Sequence, residues 1–154
     1  MSARDDLEHA ALAGDCVAAS ELAHLLDVGE GVVRDAEKAV EWYRVAADLG
    51  SKGAAYILAC KYRDGSGVAK DDAMALMWFE RSAALGDAAA HVLLAMTYRD
   101  GLLGQMPDVD RARLHSKLAD ECTAHEVAAR QSMRQRLREH DANDLGPADS
   151  KDTK

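Results

Sequence analysis

Small and apolar residues recur along this chain with the period of an α-helix. Between residues 51 and 64 they stand at Ala54, Ala55, Leu58, Ala59 and Tyr62, which wind onto one helical face and leave the other polar. The same face returns 36 residues earlier as Ala18, Leu22, Ala23 and Leu26, and 36 residues later as Ala90, Leu94, Ala95 and Tyr98. A second apolar face follows each time, with Ala39, Trp42 and Tyr43 matched by Ala75, Trp78 and Phe79.

The polar punctuation keeps the same offset. Gly14, Gly50 and Gly86 form one series, and Gly29, Gly65 and Gly101 another. Asp15, Ser51 and Asp87 each follow a glycine, where a side-chain oxygen can accept from the free N–H groups of a starting helix. The preceding glycine suits the left-handed residue that closes the helix before it. Asp35 and Asp71 open the second helix of each period, after loops reading Gly29-Glu30-Gly31-Val32 and Gly65-Ser66-Gly67-Val68. Each period therefore predicts helix, loop, helix, with the loop valine tucked back as an anchor. A hairpin of this kind cannot bury its apolar face alone, so neighbouring hairpins must stack.

The third period departs from the plan. Its loop, Gly101-Leu102-Leu103-Gly104-Gln105-Met106-Pro107, is one residue longer, and His115 and Ser116 replace the aromatic pair. Loss of the pattern is expected where a stack ends. Residues 3–13 predict an N-terminal capping helix. Thr123-x-x-Glu126 has the form of a capping box and predicts a fresh C-terminal capping helix over 123–140, with Val127 and Leu137 packed on the preceding hairpin. The plan is one domain over 1–140, with repeats at about 14–49, 50–85 and 86–122. Residues 141–154 hold Gly and Pro without an apolar period and read as a disordered acidic tail.

Composition narrows the class. Thirty alanines and only 5 % aromatic residues in 154 favour close-packed helices over sheet, so the fold is expected to be all-α. Nineteen basic against 27 acidic residues leave a net charge of −8, which disfavours nonspecific nucleic-acid binding. By region the charge is −7 over 1–107, +2 over 108–138 and −3 over 139–154, so the stretch with Arg130, Arg134, Arg136 and Arg138 is a local basic exception. The N-terminus has no apolar signal-peptide core, and no stretch reaches transmembrane length. Cys16, Cys60 and Cys122 are an odd set without CxxC pairing, which argues for reduced thiols and a cytoplasmic protein.

Residues 54–86, AAYILACKYRDGSGVAKDDAMALMWFERSAALG, and 18–50, AASELAHLLDVGEGVVRDAEKAVEWYRVAADLG, resemble the Sel-1-like repeat, a relative of the tetratricopeptide repeat. Met74 stands where that pattern has lysine, and Leu26 where it has tyrosine. The resemblance covers about residues 14–122. It implies a short right-handed α-solenoid with capping helices, whose first helices line a concave surface that holds partner proteins. Carried across position by position, that groove is lined by Val17, Ser20, His24 and Asp27, then Tyr56, Cys60, Arg63 and Asp64, then Val92, Met96, Arg99 and Asp100. Tyr56 and Met96 suit an apolar side chain of a ligand, and Arg63 and Arg99 suit a carboxylate or carbonyls. The competing explanation is that the twice-occurring Tyr-Arg-Asp-Gly simply closes a helix, its arginine placed near the negative end of the dipole.

Other chemistry is thin. His115, Cys122 and His125 share a stretch, but no second ligand pair accompanies them, and no metal site is expected. Gly29-x-Gly31 and Gly65-x-Gly67 lack the strand-to-helix setting of a phosphate loop, and no nucleophile elbow is present. The expectation is thus a non-enzymatic protein–protein interaction module without cofactor, nucleic acid or membrane partner, monomeric or weakly self-associating. The alternative is a small immunity-type inhibitor that blocks a toxin or enzyme. A remoter one is a hydrolase of the β-lactamase type, an activity linked to cysteine-rich members of the family. Those carry a regular cysteine pair in each repeat, where this chain has alanines.

Overall fold

The structure, a computed structural model, describes residues 3–144, with side chains from 4 to 138. Seven helices follow one another: α1 (Ala3–Leu12), α2 (Cys16–Val28), α3 (Ala36–Asp48), α4 (Lys52–Asp64), α5 (Asp72–Ala84), α6 (Ala88–Asp100) and α7 (Val109–Asp144). No strand occurs among the described residues. The first helices of the three units, α2, α4 and α6, are each 13 residues long, because the same caps bound them. Asp15, Ser51 and Asp87 accept from backbone N–H groups at the helix starts. Gly29, Gly65 and Gly101 close the ends in the left-handed conformation at φ 83°, 69° and 68°.

The loops return the chain by one repeated contact. The N–H of Asp35, Asp71 and Asp108 donates to the carbonyl of Leu26, Tyr62 and Tyr98, at 2.8, 2.9 and 2.6 Å. The extra residue of the third loop is absorbed before that contact, where Leu103 takes a left-handed φ of 52° beside Gly104. Val32 and Val68 lie half-buried against the core, as anchors between their helices.

Packing alternates small and large. Ala39, Ala46, Ala47, Ala54, Ala55 and Ala59 bring backbones close, and Tyr43, Leu58, Phe79 and Leu94 fill the space between hairpins. Gly67 is a point of close approach, since a Cβ there would run into the carbonyl of Ala36 at the start of α3. Hydroxyl pins recur at matching positions. Arg44 on α3 donates to the Tyr62 hydroxyl at 2.5 Å, and one period on the Tyr98 hydroxyl donates to Glu80 on α5 at 3.0 Å. Ser82 ties the turn between α5 and α6 to α4, donating to the Lys52 carbonyl at 2.9 Å.

The C-terminal end differs from the sequence expectation. No helix begins at Thr123; α7 runs unbroken for 36 residues. The Thr123 hydroxyl donates back to the Ala119 carbonyl at 2.9 Å, the habit of a threonine inside a helix. Glu126 caps no helix of its own and instead pairs with Nζ of Lys52, the first residue of α4, at 2.6 Å. Val127 and Leu137, expected to pack on the hairpin, are 46 % and 55 % exposed. Residues 141–144 of the expected tail belong to α7, and 145–154 lie outside the described residues.

Candidate functional site

Identical length and capping give α2, α4 and α6 the same rotation, so positions 36 residues apart share one face. On it Val17, Val92 and Met96 stand 60 %, 50 % and 45 % exposed, large apolar side chains not absorbed by the core. His24 is exposed beside them. Arg63 pairs with the adjacent Asp64 at 2.8 and 3.1 Å, and Arg99 with Asp100 at 2.7 and 2.8 Å. Each aspartate is held below the usual carboxylate range by the hydrogen bond from its arginine, and each guanidinium is raised by the same bond. The arginines are therefore paired at the surface, with remaining N–H donors for a ligand oxygen.

Other residues of the expected groove have internal duties. Asp27 accepts from Lys61 Nζ of the next repeat at 2.5 Å, in a pair with 19 % and 12 % side-chain exposure. It joins α2 to α4 and does not present a free carboxylate. The Ser20 hydroxyl donates to the Cys16 carbonyl at 2.8 Å, and its oxygen lies 3.3 Å from the Ser51 hydroxyl, which can donate to it. Tyr56 is half-buried, its ring edge-on to Phe79 with centroids 5.4 Å apart. Burial pushes the Cys60 thiol and the Tyr56 hydroxyl up from their ordinary values, so both stay protonated at neutral pH.

The face divides into hollows. One of about 500 Å³ gathers Val17, Ser20 and His24 with Leu7 and Leu25. A second, of about 310 Å³, brings Arg63 and Met96 against Leu93, Leu102 and Leu103. A third, of about 560 Å³, sets Val92, Met96 and Arg99 against α7. Asp27, Tyr56, Cys60, Asp64 and Asp100 line none of these three. The groove positions implied by the resemblance left out Leu102 and Leu103 because they belong to the irregular loop; two adjacent leucines between glycines were the available signal. Two larger hollows, of about 650 and 600 Å³, lie by Arg4, Lys38 and the 30–35 loop, away from the expected groove.

The stretch with His115, Cys122 and His125 is not gathered into a ligand set. His115 Nδ1 lies 3.0 Å from His91 Nδ1, and its ring stacks on Tyr98. Burial first, and then the neighbouring His91, hold its imidazole below the ordinary histidine value. His125 is exposed, and no cluster of three or more His, Cys, Asp or Glu suited to a metal ion occurs among the described residues. No described helix is long and apolar enough to cross a membrane.

Capped hairpins stacked on a fixed period define a helical-repeat protein of the solenoid class. The Sel1 repeat family profile matches residues 16–51, 53–87 and 88–119, more than half of the chain, which therefore belongs to that family. Among solved structures, a Sel1 repeat protein from Oxalobacter formigenes is 31 % identical with a TM-score of 0.69, over 75 % of this chain and 46 % of that one. A protective antigen present in uropathogenic Escherichia coli strains, displaying an SLR fold, is 30 % identical with a TM-score of 0.72, over 79 % of this chain and 26 % of its own. Cysteine-rich protein B of Helicobacter pylori is 27 % identical with a TM-score of 0.58, over 59 % of this chain and 68 % of its own. The chain thus spans about half and about a quarter of the lengths of the first two. No curated protein matches it. Sel1 repeat proteins are in general modules of protein–protein interaction. Unlike a cysteine-rich scaffold, this chain has three unpaired cysteines, each half-buried.

Proposed function

We propose that this protein is a non-catalytic adaptor that holds a peptide or helix of a partner protein on the concave face formed by α2, α4 and α6. The observation that carries this reading is the row of exposed Val17, Val92 and Met96 set among Arg63 and Arg99, each paired with its neighbouring aspartate. A surface of this kind gains from apolar burial without losing much side-chain freedom, which favours affinity. The arginines suit carboxylates or backbone carbonyls of the bound segment. The unpaired thiols of Cys16, Cys60 and Cys122 support a reducing, cytoplasmic setting.

Affinity capture from the native cell tests the reading, with Met96→Glu and an Arg63→Ser/Arg99→Ser double variant beside an outward-face control, Glu37→Lys. A polypeptide retained by wild type and the control, and lost by both face variants, supports it. Retention by the face variants with loss in the control, or collapse in moderate salt regardless of variant, would instead support the acidic outer body as the binding surface.

A further inference from the structure

We infer that the open end of the stack, the slot between α6 and α7, joins two copies of this chain through antiparallel packing of α7 on α7. Inside the molecule the corresponding slot is always filled. After the first hairpin α4 packs on α3 and meets α2 through the Lys61–Asp27 pair, and after the second α6 packs on α5, with buried alanines along these helices letting backbones meet. The last slot keeps that floor as Ala95, Ala112 and Ala119, all nearly buried, while the exposed Val92 forms part of one wall. It is a surface of the kind by which this fold stacks, without a neighbour from the described residues.

The second wall explains why the occupant is another copy. Arg113, Ser116 and Asp120 lie along one face of α7, three and four residues apart, and line the slot. Arg113 and Asp120 are both exposed, and the nearest carboxylate to Arg113 is Asp110 at 3.9 Å, itself almost fully exposed. Opposite charges two helical turns apart are self-complementary when the helix meets a reversed copy of itself. A twofold axis between residues 116 and 117 sets Arg113 against the second copy's Asp120 and Asp120 against its Arg113. The small Ser116 lies at the axis, where the helices must approach closely. The same geometry carries Val127, 46 % exposed, towards the second copy's loop, where Met106 is 83 % exposed. An isologous contact of this kind closes at two copies, because each slot is used once.

Sedimentation velocity of the full chain from about 1 to about 200 µM tests the proposal with Arg113→Asp, Asp120→Arg and the double swap. Arg113 and Asp120 line the same hollow as Val92, Met96 and Arg99; sedimentation of the purified chain reads self-association with no partner present, so its outcome is separable from that of the adaptor reading. Wild type is expected to dimerise over this range, each single reversal to weaken association by about tenfold or more, and the double swap to restore it. A wild type monomeric at about 200 µM, a dimer indifferent to the reversals, or a double swap that fails to restore association would each overturn the inference. Helicity and melting temperature confirm that the variants fold. As a second readout, Ser116→Cys in a background with Cys16, Cys60 and Cys122 replaced by serine is expected to cross-link under oxidation; failure to do so at dimer-forming concentration contradicts the axis.

Discussion

Hairpins α4–α5 and α6–α7 follow one 36-residue plan, yet one is enclosed and the other is the last among the described residues. In the enclosed hairpin, Ala59 and Phe79 are fully buried and Ala83 is 5 % exposed. Their counterparts in the last hairpin are Ala95, still nearly buried at 8 %, and Ser116 and Asp120, both exposed. The positions that face backwards into the stack, Ala90, Leu94 and Tyr98, keep their identity and their burial. The difference teaches that the repeat decays mainly towards its open side, with His91 and His115 the polar pair admitted between α6 and α7. Residues facing a following hairpin are free to become polar, and residues facing the previous one are not.

Substitution at matched positions tests this asymmetry. The largest effect is expected from Phe79→Ala, which empties a fully buried site and should cost about 3–5 kcal/mol in urea unfolding, while Ser116→Ala stays within about 0.5 kcal/mol. Next come the loop glycines. Gly67→Ala must both adopt φ 75° and push against Ala36, with an expected cost of about 2 kcal/mol or more; Gly31→Ala, at φ 71° in open space, should cost about 1. Equal costs would remove the close approach from the account. A smaller contrast concerns caps. Asp71→Ala deletes an acceptor for the Met74 N–H and should lower stability by about 1 kcal/mol, whereas Thr123→Ala, inside α7, should change it by less than about 0.5.

The smallest effect belongs to pH. His115 is half-buried against His91 and Tyr98, with Arg111 and Glu80 also facing it, and its imidazole is held below 6.5 by burial and by His91. The unfolded chain therefore binds the proton more readily than the folded one. The contribution of His115 is fully present above about pH 6.5 and declines as pH falls through its lower folded value. Thermal melts from pH 7.5 to 5 should show that decline in wild type and a shallower one in His115→Asn. An unchanged slope would detach the histidine from the α6–α7 contact.

Much of this fold was legible because each hairpin writes its own boundaries. The glycine and cap series placed the starts and ends of α2, α4 and α6, and period alone predicted the burial of Leu58, Tyr62 and Phe79. What escaped was longer in range. Thr123-x-x-Glu126 mimics a helix start, but between Val109 and Asp144 there is no glycine or proline to stop the helix, so the local signal lost to continuity. The groove was legible as a face but not residue by residue. The family resemblance assigns Asp27 to that face, yet it is Lys61, 34 residues on, that reaches across and removes it from use. Contacts of that span depend on side-chain reach between repeats, which spacing within one repeat does not encode.

Thiol labelling at two matched positions measures the central contrast most directly. In a background with the native cysteines replaced by serine, Ala83→Cys reports the filled slot and Asp120→Cys the open one. At about 1 µM chain, maleimide should modify the thiol at 120 at the rate of an exposed cysteine and the thiol at 83 slower by about a hundredfold. Comparable rates at both positions would contradict the account.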